Sequence, residues 1–291
     1  MKGIIVVNAY SQSEDYLYQA NRLKEEFDLK GVSVAIVKNY CGIAKLEKNG
    51  KITSRQAGDF AVFLDKDKYT MRLLEGAGFR LFNSSYAIEI CDDKMLTHVA
   101  LSEMGIPMPA TIPAPFCYTP DAKIGEEYGK SVINALSLPV VVKHSYGSLG
   151  KEVFLARSQE ELKELAHKLR FTPHFYQQYI TESKGEDLRV IAVGGKVIAA
   201  MRRSSDKDFR SNIALGGNAC AYAVTDEIVV LAKKISEKLR LDYCGIDFLF
   251  GKEGLTLCEV NSNAFFKGIE KATGVNVAAA YVNHIIQSMQ N

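Results

Sequence analysis

The sequence predicts a mixed α/β protein (α/β at its start, α+β beyond) in which a parallel-sheet unit precedes a series of antiparallel hairpins. Three observations carry this. Strands and helices alternate through residues 1–88, apolar runs then pair around Gly-containing turns, and one such hairpin sets two carboxylates against each other.

The chain opens on GIIVV, a buried strand running into Asn8-Ala9-Tyr10 and a polar loop. From about Ser13 to Asp28, Leu17, Ala20, Leu23 and Phe27 fall at helical spacing. VSVAIVK and DFAVFLD are the next strands, and Tyr69 to Ala77 is a helix before FRLFN. That order predicts a small three-layer unit with a mostly parallel sheet. Ligands of such sheets sit beyond the carboxyl ends of the strands, so Asn8 to Ser13 and Asp65 to Tyr69 are candidate substrate loops. No strand is followed by G-x-G-x-x-G, which gives dinucleotide binding no support.

Ile88 to Met104 carries a helix pattern that ends where Gly105 and Pro107 supply a cap and a breaker. Residues 107, 109, 113, 115 and 120 are all proline, so this stretch reads as an irregular connection into a new module. An amphipathic stretch follows from about Ile124 to Leu136. VVV then closes on Lys143, and the loop Ser145 to Gly150 has Gly147, Gly150, Ser145 and Ser148 before the return strand Val153 to Ala156. Backbone amides in such a loop can form a concave anion site beside a lysine point charge. It is a hairpin-type cradle: it lacks the G-K-S/T ending of a P-loop and enters a strand.

Gln159 to Leu169 reads as a helix, HFYQQYI as a short strand, and VIAVGGKVIAAMRR as a hairpin turning at Gly194-Gly195. Arg202, Arg203 and Arg210 precede the acidic hairpin, Tyr243 to Phe250 joined to Leu255 to Val260. With a three-residue loop Lys252 to Gly254, Gly251 pairs with Leu255 and Asp247 falls opposite Glu259, their Cβ atoms roughly 4.5–5.5 Å apart. Asn261 shares that face. Two facing carboxylates repel unless a positive group lies between them, and an oxygen set of this kind suits a hard cation such as Mg²⁺. Together with the arginines and Lys143, it describes a held polyphosphate.

Composition sets the class. The chain has 291 residues, 47% apolar and 24% charged, with net charge +2 and both signs interspersed, so nothing argues for nucleic acid or a membrane surface as partner. Its 6 cysteines are scattered without C-x-x-C spacing, which predicts reduced thiols in a cytoplasmic protein and no zinc site. No apolar run approaches the roughly 20 residues of a membrane span. The start reads as a strand, not as a signal peptide.

The chain resembles the ATP-grasp superfamily and, within it, the RimK-like carboxylate–amine ligases, the type that adds glutamates to a ribosomal protein's C-terminus. The resemblance is densest in LFNSSYAIEICDDKMLTHVALSEMGIPMP, PVVVKHSYGSLGKEV, QQYI…GEDLRV, DFRSN…GG and CGIDFLF…CEVNSN…KGIEKATGVNV. It implies an ATP-grasp fold with an N-terminal α/β domain (1–88), a central subdomain bearing the Gly/Ser loop (89–176) and a C-terminal subdomain bearing the metal site (177–291). Lys94 and Lys143 then match the lysines that reach the ATP phosphates, and Ser145 to Gly150, including Ser148, matches the mobile loop over them. Gln177, Gln178, Tyr179 and Ile180 match the segment that meets the adenine edge. Gln178 departs from the glutamate common there. Asp187 matches a position near the ribose, and Arg210 and Asn212 match the pair near the γ-phosphate, Arg210 as electrophilic helper. Asp247, Glu259 and Asn261 match ligands of two Mg²⁺ ions, with Mn²⁺ as an alternative.

The implied reaction forms an amide between a carboxylate and an amino acid's amine through an acyl phosphate. The acceptor is a peptide or protein C-terminus or a small carboxylate, and similar ligases are often dimers or tetramers. A glutathione-synthetase-like or lysine-biosynthesis-type ligase, or a nucleotide-binding protein without turnover, are the alternatives. RimK-like enzymes often carry Ser-Pro-Gly where this chain has Ser262-Asn263-Ala264-Phe265-Phe266, which leaves the substrate open. His144, beside Lys143, reads as incidental.

Overall fold

Four short strands stand side by side at the start of the computed structural model, which describes residues 1–10, 14–40, 42–211 and 217–290. They are β1 (Lys2–Val7), β2 (Ser33–Lys38), β5 (Phe60–Leu64) and β6 (Arg80–Phe82), all parallel, in the order β2-β1-β5-β6. Parallel strands need crossovers, which α1 (Glu14–Leu29) and α2 (Lys68–Gly76) supply. Between β2 and β5 lies a small hairpin that the sequence pattern missed, β3 (Ala44–Leu46) with β4 (Ile52–Ser54). β5 is buried along its whole length, with α1 over one face and α2 over the other.

The helix expected over Ile88 to Met104 is two helices, α3 (Ser85–Asp92) and α4 (Lys94–Ala100). The break is at Asp93, whose backbone is extended and whose carboxylate accepts from the amides of Met95 and Leu96. An aspartate inside a helical period acted as an N-cap and restarted the helix in a new direction. That turn brings the Lys94 amide within 2.9 Å of the Ser145 carbonyl oxygen.

The proline-rich connection holds one short strand, β7 (Thr111–Pro113). It edges an antiparallel sheet of order β7-β10-β8-β9, where β8 is Val140–His144, β9 is Val153–Ala156 and β10 is His174–Gln178. α5 (Glu126–Leu136) and α6 (Gln159–Leu169) cover one face, burying Val140, Val142 and Tyr176. Strand alternation turns Val141, Lys143 and Gln177 to the other face.

A five-stranded antiparallel sheet follows, ordered β13-β12-β11-β14-β15. Its strands are β11 (Glu186–Val193), β12 (Lys196–Ser204), β13 (Asn218–Ala221), β14 (Tyr243–Gly251) and β15 (Gly254–Asn261). α7 (Asp226–Leu239) packs on one face, where Leu188, Val190, Ile246 and Phe248 are fully buried, each side chain stabilising by about 1.5–3 kcal/mol. On the opposite face α8 (Lys267–Thr273) and α9 (Val277–Gln290) cover Ile191, Val193, Met201 and Tyr243, in a core continuous with α1 and the first sheet. The rest of that face stays uncovered and polar.

The acidic hairpin is tighter than expected. Gly251 pairs with Gly254 across a two-residue turn, not with Leu255. Phe248 then pairs with Leu257, a bulge takes up Cys258, and Asp247 pairs with Glu259 after all. Among the described residues no helix is long and apolar enough to cross a membrane.

Candidate active site

The polar face of the five-stranded sheet looks across a cleft at the exposed face of the β7-β10-β8-β9 sheet. Lys143 stands on β8 and Gln177 on β10, two neighbouring antiparallel strands. Lys143 Nζ donates to Gln177 Oε1 at 2.6 Å and lies 3.6 Å from the Cys258 sulfur. Lys94 enters from the start of α4; its Nζ donates to the Gly147 carbonyl at 2.7 Å and lies 3.6 Å from Glu259 Oε1. Both lysines are largely buried, Lys94 and Lys143 each being 8% exposed.

Between them runs the Gly/Ser loop. Gly147 has φ +145°, and a Cβ there would come 2.8 Å from Glu152 Oε2, so the turn requires glycine. Tyr146 flanks the loop on one side, and burial, with Asp93 nearby, pushes its phenol pKa up. Arg210 reaches the loop from the other side, donating to the Gly150 carbonyl at 2.5 Å while its guanidinium holds Asp208 at 2.7 Å. The Arg210–Asp208 bond raises the arginine's pKa, and the same bond lowers that of Asp208.

On the five-stranded sheet, charges form a row across neighbouring strands. Asp187 lies opposite Arg203, Arg189 opposite Asp247, and Asp247 opposite Glu259. Arg203 spans Asp187 at 2.5 Å and Asp247 at 3.0 Å, and Arg189 grips both Asp247 oxygens. Burial alone would raise the Asp247 pKa, but Arg189 and Arg203 outweigh it and hold the carboxyl at about 2. Asp187 goes the other way: burial raises it, and its share of Arg203 offsets only part of that. Glu259, with 25% of its side chain exposed, is more open than Asp187 at 11% or Asp247 at 6%.

The lining also has an apolar part, Val141, Tyr179, Ile180, Phe209 and Leu249. The Tyr179 and Phe209 rings meet edge to face at 6.3 Å. The Gln178 backbone N–H already donates to the Ala110 carbonyl at 2.9 Å.

Of the residues singled out from sequence, Lys94, Lys143, Ser148, Gln177, Gln178, Tyr179, Ile180, Asp187, Arg210, Asp247 and Glu259 all line this cavity. Asn261 pairs with Gly245 one step beyond its lining. Asn212 lies outside the described residues. Arg202 is not part of the cluster: it points to the opposite face, pairing with Glu186 at 2.5 Å and sitting over the Phe250 ring. Arg189 was missed, although its alternation with Asp187 places both on one face. His144 lines the cavity too, with Nε2 buried and unpartnered and its pKa lowered by burial.

The segment after β15 is fixed by the first sheet. Asn263 Nδ2 donates to the Asp65 carbonyl at 2.8 Å, and Gln19 and Tyr243 both donate to the Ala264 carbonyl. Asp65, at the carboxyl end of β5, accepts from Asn8 and Asn39. Asn83 ties Ser262 to the same region through a bond to its carbonyl at 2.8 Å.

The donors fit a hard cation in kind, being carboxylate and amide oxygens. Glu259 is free to accept one, whereas both Asp247 oxygens are engaged by guanidinium groups. Among the described residues no group of three or more His, Cys, Asp or Glu is placed to hold a metal.

A family model for the RimK-like ATP-grasp domain matches residues 91–285. The chain is 37% identical over 232 residues to N-acetylaspartylglutamate synthase A of Mus musculus, covering 78% of this chain and 59% of that protein. It is 37% identical over 225 residues to β-citrylglutamate synthase B of Homo sapiens, covering 76% of this chain and 56% of that one. The chain thus spans less than three fifths of the length of these curated relatives. In three dimensions it resembles D-alanine–D-alanine ligase of Bacillus anthracis complexed with ATP, with TM-score 0.74 at 16% identity over 100% of this chain and 97% of that one. That likeness places the fold, and the sequence match places the family: the chain belongs to the RimK-like ATP-grasp domain family.

Proposed function

We propose that the chain is an ATP-dependent ligase that joins a carboxylate to the amine of glutamate through an acyl phosphate. One observation carries this reading: Lys94 and Arg210 bond the Gly147 and Gly150 carbonyls of the loop, in a cavity that Lys143, Asp247 and Glu259 also line. Cations around a backbone cradle, facing carboxylates, suit a triphosphate and its metal. The apolar part takes the base, with the Tyr179–Ile180 segment at its edge and Asp187 toward the ribose. A divalent cation, Mg²⁺ or alternatively Mn²⁺, supplies charge neutralisation along the phosphates when bound. Glu259 would hold it, with Asn261 on the same face; Asp247 would join the oxygen set only by sharing oxygens now bonded to Arg189 and Arg203.

The remaining steps follow from what these residues do. Lys94 and Lys143 orient the phosphates, and Arg210 neutralises the charge on the transferring phosphoryl group. An oxygen of the substrate carboxylate attacks the γ-phosphorus and ADP leaves. The neutral amine then attacks the acyl carbon, and phosphate departs with the former carboxylate oxygen. A closed Gly/Ser loop keeps water from the acyl phosphate. Glutamate is proposed as the amine because the names of both curated relatives specify a glutamate-containing product. Asn263, Asn8, Asn39 and Asp65 lie where the acceptor carboxylate's remainder would extend.

A phosphate-release screen of amino acids against mono-, di- and tricarboxylates and peptide C-termini tests this. Release that requires ATP, glutamate and a carboxylate together supports it. Release with another amino acid alone would replace glutamate, and silence with every pair would remove the ligase reading.

A further inference from the structure

The buried histidine on α4 has a place in this cavity that no motif announces. His98 is 6% exposed and lies one helical turn after Lys94. Its Nδ1 is 2.7 Å from the Lys94 carbonyl oxygen, and its Nε2 is 3.2 Å from Gln177 Nε2. Gln177, 1% exposed, has two further partners: Lys143 Nζ at Oε1, and Thr111 Oγ1 at 3.0 Å from Nε2.

Donor and acceptor capacities leave one consistent assignment. An ammonium only donates, so Lys143 requires Oε1 on its side of Gln177. Thr111 spends its single hydroxyl proton on the Pro109 carbonyl at 2.8 Å, so its oxygen must accept from Gln177 Nε2. The second Nε2 proton is then aimed at His98, whose Nε2 must carry a lone pair. A carbonyl only accepts, so His98 Nδ1 carries the proton and donates to Lys94. The chain runs Lys143 to Gln177 to His98 to the Lys94 backbone, linking the two lysines of the cavity.

We propose that His98 is a positioning residue for nucleotide phosphates: as the neutral Nδ1-protonated tautomer it fixes the Gln177 amide, whose Oε1 holds the Lys143 ammonium at the phosphate end. This rests on the reading that Lys143 meets the phosphates. Burial favours the neutral ring and outweighs the bond to the Lys94 carbonyl, which opposes it; Lys143 adds a smaller push the same way as burial, and Glu259 a smaller one against it. Without an acceptor at His98, a buried Gln177 proton loses its partner, and the amide can relieve that only by turning away from Lys143.

Two measurements on the full chain decide it. Titration with ADP and with adenosine compares the wild type, His98→Phe, which keeps the ring packed near Phe175 (centroids 6.2 Å apart), and His98→Gln, which restores an acceptor near the Nε2 position. The expected result is about 10-fold weaker ADP binding for His98→Phe, adenosine binding within about 2-fold, and His98→Gln within about 3-fold of wild type for both. Equal losses for ADP and adenosine would mean a structural role only, and unchanged ADP binding would remove the inference while leaving the nucleotide reading in place. A wild-type chain that binds no ADP would overturn both. Independently of any variant, long-range ¹H–¹⁵N correlation on histidine-labelled wild type should find His98 protonated at Nδ1; protonation at Nε2 contradicts the proposal.

Discussion

Asp247 and Glu259 face each other across the β14–β15 hairpin because two departures from simple pairing cancel. The turn is one residue shorter than the three-residue loop the glycines suggest, and the bulge at Cys258 restores the register before Asp247. A slip of one residue would have sent Glu259 to the α7 side. The bulge also turns Cys258 toward the cavity, 3.6 Å from Lys143 Nζ, where burial raises the thiol's pKa and keeps it protonated.

The two carboxylates should therefore respond differently to substitution. Glu259 is partly exposed, and among the described residues its ion-pair partner is Lys94, at 3.6 Å. Glu259→Gln keeps the fold and is expected to cost at least about 100-fold in divalent-ion-dependent ADP formation. Its melting temperature should stay within a few degrees of wild type.

Asp247 holds two guanidinium groups in a buried site, so Asp247→Asn leaves Arg189 and Arg203 short of countercharge. A stability loss of about 3–5 kcal/mol is expected, read from the denaturant midpoint at unchanged m-value. A loss below about 1 kcal/mol would mean that the cluster contributes little to the fold.

Arg210→Ala should lower kcat by about 10²–10³ while changing the apparent KM for ATP much less. Steady-state kinetics over ATP concentration separates the two. An equal effect on binding and turnover would place Arg210 as a ground-state phosphate contact.

Asn263→Ala removes the bond to the Asp65 carbonyl. We expect the KM for the carboxylate acceptor to rise about 3–10-fold with the KM for ATP unchanged, since a hydrogen bond of this kind contributes about 0.5–1.5 kcal/mol. A shift in the ATP constant instead would mean that the segment shapes the nucleotide end.

Stability should fall as pH drops through about 6.5, the ordinary histidine range. Burial lowers the pKa of His98, His144 and His174, so the unfolded chain binds protons there that the folded chain does not. The slope is at most about 1.4 kcal/mol per pH unit for each histidine, and the loss stops below the folded-state values. Equilibrium unfolding between pH 5 and 8 measures it, and His98→Phe should flatten the curve.

Much of this arrangement could be read from the amino-acid order because it depends on period and pairing. Alternation in the strands around Lys143, Asp187 and Asp247 put the polar side chains on one face, and the gathered motifs brought Lys94 and Arg210 to the same cavity. What escaped depends on contacts between distant segments. Alternation puts Arg189 on the face of Asp187, but only the pairing of β11 with β14, distant in sequence, shows that it grips Asp247. Asp93 looked like one more polar residue in a helical period until its carboxylate capped a second helix. His98 sits at an ordinary core position of α4, and only the Gln177 amide on another sheet gives it a role. The three-residue loop was the natural choice from Gly251 and Gly254, and the bulge that corrects the register leaves no mark in composition.

The central claim is that a carboxylate is activated by phosphoryl transfer from ATP, and isotope transfer tests it most directly. A carboxylate that supports turnover is labelled with ¹⁸O at both oxygens and incubated with ATP, glutamate and the chain, and the released phosphate is analysed by mass spectrometry. The account predicts one ¹⁸O in each phosphate released, with ADP as the nucleotide product. Unlabelled phosphate, or AMP with pyrophosphate, would contradict it.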